Sequence, residues 1–172
     1  MKSLSSFAAF LCLAVLTGSA EAQPAKQASS PELERMKSLV GTWTGKADMG
    51  DGLREFKVEY RLVSGGSVIE ERIFAGTPKE MVTMYYDQQG KLFLTHFCML
   101  GNRPVMALKS SDAKTLKFDF DPSCGIDGQG EMHMHSLTIT FENPDTIVQD
   151  WQLFEGGKAK DKHPFKLNRV KS

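Results

Sequence analysis

From Leu53 onward, apolar and polar side chains alternate with a period of two. Phe56, Val58, Tyr60 and Leu62 alternate with Lys57, Glu59 and Arg61, and Leu116, Phe118 and Phe120 alternate with Lys117 and Asp119. Successive side chains of a strand point to opposite faces, so each such run predicts a strand with one buried face. The runs are separated by Gly65-Gly66, Gly76-Thr77-Pro78, Gln88-Gln89-Gly90, Gly101-Asn102, Ser111-Asp112-Ala113, Asn143-Pro144-Asp145 and Gly156-Gly157. These residue types tolerate the backbone conformations of tight turns. Counting residues 42–49 as the first, about ten strands result, at the spacing of a sandwich or barrel. No helical pattern interrupts them, so sequence neighbours should pair antiparallel, and the short turns favour up-and-down order. An even number of such strands can close on itself and leave no sheet edge. The expected fold is all-β: an up-and-down antiparallel barrel of about ten strands.

One helix precedes it. Ser30-Pro31-Glu32 reads as an N-cap, a proline at the first helical position and an acid in the first turn. Leu33, Met36 and Val40 fall on one face at spacings of three and four, and Gly41 is the expected stop. A helix of two to three turns is unstable alone. It should therefore lie across an apolar surface, and the end of a barrel supplies one.

The first residues have the character of an export signal: Lys2, an apolar run over residues 7–16, and Ala20-Glu21-Ala22 as a small-x-small cleavage site. The expected organisation is a cleaved signal over residues 1–22, a loose linker over 23–30 and one barrel domain over 31–172. The protein is expected to be exported, periplasmic or secreted. The apolar run is too short to span a bilayer, and no other candidate follows. Lys+Arg and Asp+Glu both number 21, and this neutrality argues against nucleic acid or an anionic membrane as partner. In an oxidising compartment Cys98 and Cys124 can pair; the alternative is a buried free thiol at Cys98.

At Gly41-Thr42-Trp43 the chain resembles the calycins, the lipocalins and fatty-acid-binding proteins among them, in which a Gly-x-Trp opens the first strand after a short helix. The residues Leu137 to Phe141, Asn143-Pro144-Asp145, Trp151 and Gly157-Lys158 are similar to bacterial secreted lipocalin-like proteins of uncharacterised function. The resemblance covers roughly residues 31–170. It implies that Trp43 packs across the closed end of the barrel and that Arg169 lies over it. More thinly, Gly41 to Gly45 resembles the opening of the nitrobindins, ten-stranded haem barrels with the iron-ligating histidine on the last strand. That likeness implies His163 as an axial haem ligand, although residues 47–52 depart from the nitrobindin pattern.

A barrel of eight or more strands has room for a small ligand. The row Phe56, Val58, Tyr60, Phe118, Phe120 and Trp151 is expected to face inward and to hold an apolar or amphipathic molecule. His133 and His135 are in phase with Leu137, Ile139 and Phe141, so they too are expected inside. Their i, i+2 spacing suits a shared metal, but zinc needs a further ligand, which His96 supplies only if its strand lies near. Interior histidines would equally suit a small isomerase or hydrolase. The strand near residues 67–74 leaves its facing open, because Glu70 and Arg72 share one face while Glu71 shares the other with Ile69 and Ile73. The loop over residues 122–130 lacks calcium-loop spacing and reads as an entrance flap. No nucleophile elbow, phosphate loop or dinucleotide fingerprint is present, and no spacing selects a catalytic triad. Binding rather than catalysis is the expectation.

Overall fold

The structure is a computed structural model that describes residues 28–48 and 52–171. The expected signal, residues 1–22, and residues 23–27 of the expected linker lie outside the described residues. The helix α1 (Pro31–Lys37) is followed by β1 (Gly41–Asp48), β2 (Leu53–Val63), β3 (Val68–Ile73), β4 (Met81–Gln88), β5 (Lys91–Phe97), β6 (Val105–Ser111), β7 (Thr115–Phe120), β8 (His133–Asn143), β9 (Thr146–Glu155) and β10 (Lys158–Arg169). All ten strands form one closed antiparallel barrel in which each pairs with its sequence neighbours and β1 closes onto β10.

The helix seals one end. Ser30 is its N-cap, accepting a hydrogen bond from the Leu33 N–H at 3.0 Å and donating its own hydroxyl to Asp87 at 2.7 Å. Leu33 and Met36 are buried, as their spacing predicts. Val40 is a correction: the helix stops at Lys37, the Ser38, Leu39 and Val40 N–H groups donate to carbonyls three residues back, and Leu39 is buried while Val40 is 41% exposed. Trp43 is fully buried beneath the helix, and its indole N–H donates to the Leu39 carbonyl at 2.8 Å. The Arg169 guanidinium lies 4.3 Å from the Trp43 ring and donates to the Ser38 and Val40 carbonyls at 2.7 and 3.0 Å. One cation thus satisfies two carbonyls just past the helix and covers an aromatic face.

Closure depends on a close approach. β1 meets β10 through Trp43↔Arg169, Thr44↔Asn168 and Gly45↔Leu167. A Cβ on Gly45 would stand 2.8 Å from Leu167 Cδ2, 2.9 Å from the Lys166 carbonyl oxygen and 3.1 Å from Phe56 Cε1. The backbone oxygen cannot swing away. Gly45→Ala is therefore expected to cost about 1–3 kcal/mol by overpacking. Urea unfolding checks this, and the midpoint should fall at unchanged slope.

The parity left open on β3 is resolved. Ile69, Glu71 and Ile73 are buried. Glu70 and Arg72 face out, where Glu70 pairs with Arg61 at 2.8 Å and Arg72 pairs with Glu80. Further pairs on the outer wall, Lys57–Glu59 at 2.7 Å and Lys166–Glu142 at 2.7 Å, are exposed and worth at most about 1 kcal/mol each. They mark a water-facing exterior, the reverse of the apolar outer band of a lipid-embedded barrel. No helix among the described residues is long and apolar enough to cross a membrane.

Candidate functional site

The interior is apolar at the closed end, polar in the middle and hollow at the open end. Below α1, Trp43, Val58, Leu92, Leu94, Leu116, Ile139, Ile147 and Leu167 are fully buried and fill the barrel. Phe118 and Phe56 belong to the same core, with Phe56 packed on Phe74 at 4.7 Å and on Phe165 at 5.1 Å between ring centres. Phe74 adopts φ +57, a conformation a bulky residue seldom takes. The Thr77 N–H and hydroxyl both donate to its carbonyl, at 3.1 and 2.8 Å.

The middle layer is a hydrogen-bonded network contributed by four strands. Glu71 of β3 is fully buried. It accepts from the Tyr85 hydroxyl at 2.8 Å and from the Gln149 amide. Gln149 donates to the Tyr60 hydroxyl at 2.6 Å and accepts from the Trp151 indole N–H at 3.1 Å. Burial raises the Glu71 carboxyl above its usual range, and the donors around it only partly restore it. Burial also raises the Tyr60 and Tyr85 phenols, so both remain neutral donors. A buried carboxyl without a cation is tolerated because its oxygens are satisfied.

From this layer the network reaches His96 of β5, which pairs directly across the strands with Thr83 of β4. The His96 Nδ1 lies 2.9 Å from the Thr83 hydroxyl. Its ring packs on Trp151 with centres 4.7 Å apart. The residue is 1% exposed, and burial pushes the imidazole down to about 4.

Above the network lies a cavity of about 320 Å³, a volume in the range of small-molecule sites. Its walls are mainly apolar: Ile73, Phe74, Met81, Met134, Trp151, Leu153 and Phe165, with Asp48, His96, Cys98 and His163 as polar members. Ala47, Met99 and Leu100 complete the described lining, and Met99 and Leu100 are exposed at 58% and 45%. The described lining contains no lysine or arginine.

Of the residues expected to meet a ligand, Trp151 lines this cavity. Phe56, Val58, Tyr60 and Phe118 point inward but are packed in the core below it. His133 and His135 require a correction. The β8–β9 register shifts between Met134 and Ser136, so His135 is the extra residue of a bulge. Beyond the bulge Met134 pairs with Leu153, and both line the cavity, while His133 pairs with Phe154 on the opposite face. One inserted residue therefore turns both histidines away from the lumen. They form a separate cluster. His133 Nε2 lies 3.0 Å from His135 Nδ1, His135 stacks on Phe154 at 3.7 Å, and Phe120 packs on His133 at 4.5 Å. His135 also approaches Asp119 at 3.8 Å. Among the described residues no three His, Cys, Asp or Glu side chains are grouped to hold a metal. Neither His133 nor His135 is among the described residues that line the cavity.

The other expected positions are simpler. Cys98 and Cys124 are separate thiols, and burial raises that of Cys98. Loop 122–130 begins with a single turn at Pro122–Cys124, capped by the Asp121 side chain. Its far end is tied to the β5–β6 connection, where Asn102 donates to the Met132 carbonyl at 2.8 Å and to Glu131 at 3.0 Å. Sequence reasoning missed Thr83, left the facing of Glu71 open, and named His96 only as a conditional metal ligand. A signal for His96 was present, since it shares parity with the buried Leu92 and Leu94.

No protein-family model matches the chain, and no curated protein matches it. Among solved structures, the crystal structure of Rv2717c from M. tuberculosis is similar over 84% of this chain and 100% of that one, with a TM-score of 0.50 at 14% identity. At that identity the likeness speaks of fold alone. The chain is a closed ten-stranded antiparallel β-barrel whose fold resembles the lipocalin-like class, with an interior able in general to take a ligand.

Proposed function

We propose that this protein is an exported carrier or sensor of a small apolar or amphipathic molecule held in the open end of its barrel. The observation that carries the reading is the cavity of about 320 Å³ with aromatic and methionine walls. Burying an apolar ligand there removes surface from water at about 25 cal/mol per Å², and the flexible methionines tolerate varied shapes. The leading residues support export, with a positive start, a short apolar run and a small-x-small site. Native mass spectrometry of the protein recovered from its producing cells is expected to show the chain without residues 1–22 carrying a small organic adduct, or taking one up from an alkylbenzene series. A bare chain that binds no member of the series contradicts the reading.

A second reading, haem held through His163, is favoured by one observation: His163 stands in the same cavity wall beside Phe165. A neutral imidazole in apolar surroundings suits iron ligation. The donor set fits the ring carboxylates poorly, because no lysine or arginine is among the described lining residues. Added hemin should give a Soret band that is lost in His163→Ala if this reading holds. Identical spectra for the two proteins would end it.

A further inference from the structure

Among the described cavity-lining residues, one buried side-chain polar atom has no partner: Nε2 of His96. Behind it, Nδ1 of the same ring lies 2.9 Å from the Thr83 hydroxyl, a contact that either atom can donate depending on the tautomer. In the tautomer with the hydrogen on Nδ1, Nε2 on the other side of the ring keeps a bare lone pair. Trp151, at 4.7 Å, and the Thr83 contact hold the ring in one orientation. An unmet acceptor in an apolar wall is costly, and its persistence in an otherwise satisfied interior marks a place for a ligand donor.

We propose that His96 is the recognition residue of the cavity, and that its Nε2 accepts a hydrogen bond from a neutral hydroxyl or N–H group on an otherwise apolar ligand. The inference rests on the container reading above and narrows its ligand class. A carboxylate has no proton to offer Nε2, and the described lining offers it no lysine or arginine. Alcohols, phenols and N–H heteroaromatics fit; fatty carboxylates do not.

The test uses three probes of one shape with the intact purified protein: para-butylphenol, butylbenzene and para-butylbenzoate, titrated by calorimetry. In the unaltered protein the phenol should bind and the benzoate should be the weakest of the three. His96→Phe, which keeps an aromatic ring against Trp151, should weaken the phenol about ten-fold or more, because its hydroxyl is then buried unpaired. Butylbenzene should change by less than about two-fold. Nitrogen NMR of the unaltered protein gives a readout that needs no variant. The His96 Nε2 resonance should be that of an unprotonated nitrogen and should move toward the protonated position with the phenol but not with butylbenzene. Equal losses for phenol and hydrocarbon in His96→Phe, tightest binding of the benzoate, or a proton on Nε2 in the free protein would each overturn the proposal while leaving the container intact. Binding of none of the three would overturn both.

Discussion

Trp43→Ala is expected to lower stability by roughly 3–5 kcal/mol, the range for removing a large buried aromatic side chain. Trp43 is fully buried and holds three elements together. Its N–H fixes the Leu39 carbonyl at 2.8 Å, its face carries Arg169 at 4.3 Å, and its edge meets Tyr60 with centres 6.4 Å apart. Truncation opens a void under α1 and removes the surface on which Arg169 rests while bridging the Ser38 and Val40 carbonyls. Because α1 is only seven residues long, it has little intrinsic stability to keep it docked. Trp43→Phe retains most of the burial and loses the hydrogen bond, so it should cost nearer 1 kcal/mol from that source. Urea unfolding of the two variants beside the unaltered protein measures both. Equal losses would mean that the indole N–H, and not the packed volume, dominates.

The second large effect concerns acid. His96 is held neutral in the folded state, with its imidazole pushed from 6.5 to about 4, whereas the unfolded chain titrates normally. Between those values the unfolded state binds the proton and the folded state does not. The stabilisation is therefore complete above 6.5 and lost as pH falls toward 4. The interval corresponds to about 3 kcal/mol. Glu71 acts with the opposite sign. Its carboxyl is raised above 4.5, so above that value the folded state holds a proton that the unfolded state releases, and stability falls as pH rises through the window. The two groups partly cancel in the unaltered protein, and substitution separates them. Glu71→Gln should steepen the loss on acidification, and His96→Phe should flatten it. Unfolding free energies measured from neutral pH to about 4 decide the matter. Parallel curves for all three proteins would show that neither buried group couples to folding.

Most of the fold was legible because a half-buried strand needs only a period of two, and the turns between strands carry their own chemistry. The strand Thr146–Glu155 shows this best: Ile147, Gln149, Trp151 and Leu153 share a parity, and all four face inward. Parity failed at His133 and His135, because a bulge leaves no mark in a run of alternating residues yet inverts every side chain beyond it. The facing of Glu71 stayed open for a different reason. A carboxylate in phase with Ile69 and Ile73 looks like an inconsistency in the pattern. The donors that make it tolerable, Tyr85 and Gln149, come from two other strands and become neighbours only when the barrel closes. Alternation likewise names inward residues without saying at which height the interior is filled. Phe56 and Phe118 are inward and solidly packed, whereas Met81 and Met134 face the void.

The methionines also provide the most direct test of a hollow barrel. Met81 and Met134 line the cavity, while Met36 and Met106 are fully buried and lie outside its lining. Methyl NMR during a butylbenzene titration should show saturable shifts at Met81 and Met134, with Met36 and Met106 nearly still. If all four stay fixed, or all four drift together without saturation, the open end of this barrel does not hold a ligand.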